Sequence, residues 1–179
     1  FVESENNPEP VSFYGATKLA NEILARTNSM ATGMRTRGLR LFTVYGPWGR
    51  PDMVYFRIIT SAISGKPFKF YGDGSVERDF TYIDDVIHMT VKLSEELSTR
   101  PSGFADVVNL GGGRPRSINE ILQIISAVSG NQVPFIREPS NDSDVPKTDS
   151  DYTYLHSLIG FSPSVATEEG LGETYKWAT

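Results

Sequence analysis

The chain contains no cysteine, which removes disulfides, zinc–thiolate centres and thiol nucleophiles from consideration together. Imidazole is nearly as scarce: only His88 and His156 occur, both read as ordinary helix residues, and no metal-ligand spacing surrounds either. No apolar run approaches the ~20 residues that span a bilayer, and no signal peptide is visible. A basic stripe is missing too. The formal net charge of -5 argues against a general nucleic-acid binder and against an electrostatic hold on a membrane surface. What is left is a cysteine-free chain of 179 residues, long enough for one sizeable domain or for part of a larger one. A cytoplasmic protein is expected.

Strand and helix signals alternate along it. The spacing predicts a helix over 12–31, with Leu19, Ile23 and Leu24 on its apolar face and Gly33 ending it. Residues 39–45 read as one strand stopped by Gly46-Pro47, apolar enough for the interior of a parallel sheet. Residues 53–64 read as a helix closed by Gly65. Residues 68–71 and 78–82 are extended about the Gly72-Asp73-Gly74 turn, as a hairpin or a strand–loop–strand unit. Asp84 and Asp85 open a helix to about Leu97 and are placed to cap its N-terminus. A strand over 106–110 runs into Gly111-Gly112-Gly113, read as a tight turn rather than a phosphate cradle. Ser117-Ile118-Asn119-Glu120 is a capping box for a helix reaching Val128. A short strand over 133–136, polar loops over 1–10 and 141–150, and helices near 152–158 and 167–177 complete the reading. Such alternation predicts an α/β fold.

Tyr14 and Lys18 lie four residues apart, on one face of the first helix and one turn from each other. An ammonium beside a phenol favours the phenolate, which makes the pair usable as a base. A tyrosine and a lysine at this spacing also occur by chance on surface helices, and the surrounding residues decide the matter. Tyr14-Gly15-Ala16-Thr17-Lys18-Leu19-Ala20-Asn21-Glu22 resembles the catalytic helix of the extended short-chain dehydrogenase/reductase family, the NAD-dependent sugar-nucleotide epimerases and dehydratases. Further blocks follow in that family's order: Arg40 to Pro47, Arg78 to Val86, Asn109 to Gly113, and Asp144 to Thr148. Tyr45-Gly46-Pro47-Trp48-Gly49-Arg50-Pro51-Asp52-Met53 looks most like the UDP-glucuronate 4-epimerase subgroup.

The resemblance implies the C-terminal part of a Rossmann-type doubly wound sheet joined to a smaller α/β nucleotide-sugar domain. It places the end of the dinucleotide-binding domain at 1–50 and the sugar-nucleotide domain mainly at 51–179, with 79–112 returning partly to the sheet. By resemblance Tyr14 and Lys18 are catalytic and touch NAD, with Tyr14 moving a proton while hydride moves at the nicotinamide. Arg50 and Thr43 are expected at a substrate carboxylate, since a guanidinium fork in a loop beyond a parallel strand suits one. Arg78 and Arg57 are expected near the diphosphate, Phe70 with Tyr71 near the uracil, and Asp144 at the uridine ribose. The reaction implied is 4-epimerisation of UDP-glucuronate through a 4-keto sugar. UDP-glucuronate decarboxylation, UDP-glucose 4-epimerisation and a non-catalytic nucleotide-sugar-binding module are the alternatives. A homodimer is implied as well. The family's glycine-rich dinucleotide loop and its third catalytic serine or threonine are not among these residues, so the 179 residues alone are expected to be inactive.

Overall fold

In a computed structural model the described residues are 2–3, 10, 12–139 and 147–179. The loops expected at 1–10 and 141–150 fall largely outside them, and Asp144 with them. Helix α1 (Phe13–Thr32) is bounded as its ends dictate: the Ser12 side chain accepts from the Gly15 amide, and Gly33 closes the helix in the left-handed region at φ 76°.

The strand expected over 39–45 begins earlier and is broken. Strand β1 (Thr36–Leu41) and strand β2 (Thr43–Tyr45) are separated at Phe42. There the Phe42 amide donates to the Leu110 carbonyl at 3.3 Å and the Val44 amide turns back onto the Phe42 carbonyl at 3.0 Å. The two halves serve different neighbours. β1 pairs in parallel with β5 (Ala105–Leu110), and β2 pairs in parallel with β4 (Glu77–Tyr82). On its other edge β4 takes β6 (Pro115–Ser117) antiparallel. Strand β3 (Phe68–Tyr71) pairs in parallel with β7 (Phe135–Glu138) in a third sheet, so β3 and β4 form a strand–loop–strand unit and not a hairpin. β7 starts two residues later than the sequence suggests. Pro134 has no amide proton to donate, and its carbonyl is taken by the Ser61 hydroxyl at 2.8 Å.

Helix α2 (Val54–Ser64) ends on Gly65, and α4 (Ile118–Ser129) carries the full Ser117–Glu120 capping box. Helix α3 (Ile83–Ser98) departs from expectation. Its N-cap is Tyr82, with no side-chain cap, and Asp84 and Asp85 lie in its first turn. Asp85 instead accepts from the Ser164 and Val165 amides, each at 2.9 Å. It ties α3 to the chain entering α6 (Thr167–Ala178). Helix α5 (Thr153–Ile159) packs on α3 and β5; nearby, His88 stacks on Phe161.

Two apolar clusters hold these pieces. One gathers Tyr45, Tyr55, Ile58, Phe70, Phe80, Ile121 and Leu171 among α2, α4, α6 and the second and third sheets. The other gathers Met89, Leu93, Val108, Leu110 and Leu155 between α3, α5 and β5. The architecture is α/β with parallel pairing throughout its main strands. No helix among the described residues is long and apolar enough to cross a membrane.

Candidate active site

Tyr14 is the second residue of α1 and stands 72 % exposed. The Lys18 ammonium lies over its ring, 5.1 Å from the centroid, so one helical turn delivers a cation to the phenol's face as the spacing requires. Among the described residues no carboxylate pairs with Lys18. Glu22, the next residue of that row, is already gripped in bidentate fashion by Arg40 of β1, at 2.8 and 2.9 Å. That grip fixes the helix to the sheet while its first turn faces outward. A phenol and an ammonium presented together to solvent can supply a proton carrier and hydrogen-bond donors.

Beyond β2 the chain makes the loop that carries Arg50. The loop leaves β2 at Tyr45, whose ring is buried, with burial first and Tyr82 second pushing its phenol well above the usual range. Glycine is required inside the loop. A Cβ on Gly49 would overlap the Tyr55 hydroxyl, so the loop lies flat against α2. The Gly49 amide donates to the Gly46 carbonyl at 3.3 Å and the Met53 amide to the Arg50 carbonyl at 3.2 Å. Trp48 adopts φ 62° while 86 % exposed, and its ring meets Trp177 of α6 at 5.2 Å. A bulky side chain in the left-handed region is uncommon, and an aromatic contact accompanies it here.

Arg50 holds out a fork. Nε and Nη2 donate to the two carboxylate oxygens of Asp52 at 3.0 and 2.5 Å, with the Arg50 side chain 76 % exposed. The fork holds the Asp52 carboxyl below the usual carboxylate range, and Asp52 in turn raises the guanidinium. The first turn of α1 and the Arg50 loop are both open to solvent.

The remaining expected residues lie on β2, α2, β3 and β4. Thr43 opens β2, half-buried, opposite Phe80 of β4. Arg57 of α2 donates to the Lys69 carbonyl at 2.9 Å and lies over the Phe68 and Tyr71 rings. The Phe70 side chain is buried in the core and leaves only its main chain for any ligand, whereas Tyr71 is exposed. Arg78 donates to the Glu77 carbonyl at 2.9 Å. The carboxylates next to it have other partners: Glu77 pairs with Lys147 at 3.3 Å, and Asp79 is enclosed.

The enclosure of Asp79 is the arrangement that the order of residues least reveals. The carboxylate is fully buried and accepts from the Gly112 and Gly113 amides at 2.8 and 2.9 Å, and from the Ser150 amide and hydroxyl at 3.0 and 2.6 Å. The triple glycine does form an anion cradle of backbone amides, with the chain's own aspartate as its anion. A Cβ on Gly111 would overlap the Ser150 hydroxyl. Strand alternation then turns Arg78 away from Asp79. Asp52 is the other residue missed by sequence reasoning, and Arg137, 5.0 Å over the Phe70 ring, is a third.

Comparison with known proteins follows from this geometry. The family model described as NAD dependent epimerase/dehydratase family matches residues 2–111. A probable UDP-glucuronate 4-epimerase of Rhizobium meliloti (strain 1021) is 36 % identical over 191 residues, covering 99 % of this chain and 56 % of that protein. The UDP-glucuronate 4-epimerase of Thermodesulfobacterium geofontis (strain OPF15) is 39 % identical over 179 residues, covering 99 % and 54 %. Among solved structures, UDP-glucuronic acid 4-epimerase from Bacillus cereus in complex with UDP-glucuronic acid and NAD superposes with a TM-score of 0.89 at 35 % identity, covering 99 % of this chain and 56 % of that one. The chain thus spans about half the length of the curated relatives it matches.

Proposed function

The chain belongs to the NAD dependent epimerase/dehydratase family, and on that footing we propose that its protein interconverts UDP-glucuronate and UDP-galacturonate by epimerisation at C4. The observation that carries this reading is that the chain exposes both a phenol–ammonium pair, Tyr14 with Lys18 on α1, and a guanidinium fork, Arg50 in the loop after β2. A proton carrier alone suits any sugar. An exposed guanidinium fork in addition favours a sugar that bears a carboxylate. The relatives named for UDP-glucuronate, and the related structure holding UDP-glucuronic acid with NAD, support the same choice.

Bound NAD supplies a hydride acceptor and donor for C4. Tyr14 takes the proton of the C4 hydroxyl as hydride leaves C4 and gives it back to the same oxygen once the 4-keto sugar has turned over and regained hydride on its opposite face, so the reaction closes without net oxidation. Lys18 holds a ribose hydroxyl and keeps positive charge beside the phenol. The 4-keto sugar is a β-keto acid, prone to lose carbon dioxide. Arg50 and Thr43 grip the carboxylate and oppose that loss. Arg78 and Arg57 meet the diphosphate, the β3 main chain at Phe70 meets the uracil, and Asp144 meets the ribose of the uridine.

Residues 1–50 complete a dinucleotide-binding domain and 51–179 mainly form the UDP-sugar domain, with 79–112 returning partly to the sheet. The protein is a cytoplasmic homodimer. Phe13 is 96 % exposed and Leu24 and Met30 stand open on the same helix, which favours a second subunit against α1. Incubation of the holoenzyme with UDP-glucuronate tests the reaction. UDP-galacturonate is the expected product. UDP-xylose in its place, or turnover of UDP-glucose with none of UDP-glucuronate, overturns the reading, and binding without turnover makes the chain a nucleotide-sugar-binding module.

A further inference from the structure

Arg50 meets a carboxylate that belongs to its own loop. Asp52 lies two residues on, separated from Arg50 by Pro51, whose ring fixes φ and holds the two side chains on one side of the turn. Both oxygens of Asp52 are occupied, one by Nε and one by Nη2. This is the face of a guanidinium that a hexuronate carboxylate would take, since both bind a planar fork through two parallel hydrogen bonds.

We propose that Asp52 is an internal stand-in for the substrate carboxylate: it occupies the Arg50 fork and is displaced when a uronate arrives. The proposal rests on the reading of Arg50 as the carboxylate-binding residue.

The energetics favour exchange over permanence. The Arg50 and Asp52 side chains are 76 % and 61 % exposed, so water solvates each when they part and the pair is easily opened. No other side chain among the described residues forms an ion pair with either group. Exchange has a consequence for selectivity. A uronate replaces the bond it breaks, one carboxylate for another. A neutral hexose leaves Asp52 in place and gains nothing from the fork. A carboxylate that only braced the loop would behave otherwise, because its removal would disorder Arg50 and weaken uronate binding.

The experiment is Asp52→Asn in the holoenzyme, titrated with UDP-glucuronate and with UDP-glucose, which share nucleotide and diphosphate and differ at the carboxylate. The dissociation constant for UDP-glucuronate is expected to fall about two- to fivefold, the scale of an exposed ion pair. That for UDP-glucose stays unchanged, and KM for the uronate falls without a matching change in kcat. Asp52→Glu, which restores a competing carboxylate, returns the uronate constant toward the wild-type value. Weaker uronate binding in Asp52→Asn, or an equal shift for both ligands, overturns the exchange and leaves Arg50 as the carboxylate-binding residue. Wild-type protein that binds UDP-glucose as tightly as UDP-glucuronate overturns the carboxylate reading of Arg50, and the exchange with it.

Discussion

At the head of β1, Arg37 grips Asp106 through Nε and Nη2, each at 2.7 Å, and reaches Glu96 with Nη1 at 2.7 Å. Past the end of β2, Arg50 grips Asp52 with the same two prongs. The difference lies in water and in where the partners come from. The Arg37 side chain is 2 % exposed, and its carboxylates come from β5 and α3. Tyr154 of α5 adds its hydroxyl to Asp106 at 2.9 Å, and the Leu93 carbonyl accepts from Nη1 at 3.1 Å. Opening that cluster strands charges away from solvent, which makes it a fixture joining four elements. The Arg50 pair lies within one loop and is open to solvent. The same two-pronged grip thus serves as scaffold where it is buried and, on the proposed reading, as a receptor where it is open to water.

The largest effect is expected at the exposed end. Tyr14→Phe should lower holoenzyme turnover roughly a thousandfold, in the range of a lost general acid–base, with the thermal midpoint unmoved. A midpoint that dropped with the activity would place Tyr14 among the structural groups. Next comes Arg37→Met, which leaves Asp106 and Glu96 without their cation. It should destabilise the fold by about 3–5 kcal/mol and lower the thermal midpoint by roughly 10 °C, while kcat per folded molecule holds. Equal stability in urea would erase the distinction between the two arginines. Smaller still, Arg50→Gln should raise KM for UDP-glucuronate about tenfold or more and leave the unfolding midpoint where it was.

The smallest effect is in pH. Desolvation acts to raise the Glu96 carboxyl, yet the hydrogen bonds from Arg37 and Arg100 prevail and hold it below its usual range. The unfolded chain therefore takes up this proton at a higher pH than the folded one. Its stabilisation is fully present above the ordinary carboxylate range and is lost as pH falls through the lower folded value. Urea midpoints taken from pH 7 to about pH 4 should show wild type converging on Glu96→Gln. Parallel curves would remove Glu96 from the fixture.

Much of the fold was legible because helices announce their ends locally. Ser12 and Gly33 bound α1, Gly65 stops α2, and Ser117 with Glu120 caps α4, each within a few residues of chain. The break at Phe42 was not, since both halves of the run are strand and only their partners differ, β5 for one and β4 for the other. Asp84 and Asp85 read as caps because acidic residues at a helix start usually face its own amides; Asp85 is drawn away by amides 79 and 80 residues further on. At the site, the Tyr14–Lys18 spacing was enough to bring the pair together. Asp52 escaped notice because a contact two residues apart depends on loop geometry that no periodicity describes. The anion of the glycine cradle was hidden for the opposite reason, lying 33 residues away from the glycine that binds it.

That distance has a kinetic meaning. Asp79 receives amides from chain 33 and 34 residues away on one side and a serine 71 residues away on the same carboxylate. Each closure carries a loop entropy that grows with the logarithm of its length and must be met before the contacts repay it. Local helices can form early; this clasp cannot. Asp79 is therefore placed to close late on the folding path, and weakening it should hasten unfolding far more than it slows folding. A buried aspartate bound to its own chain's amides then sets how long the finished molecule stays assembled.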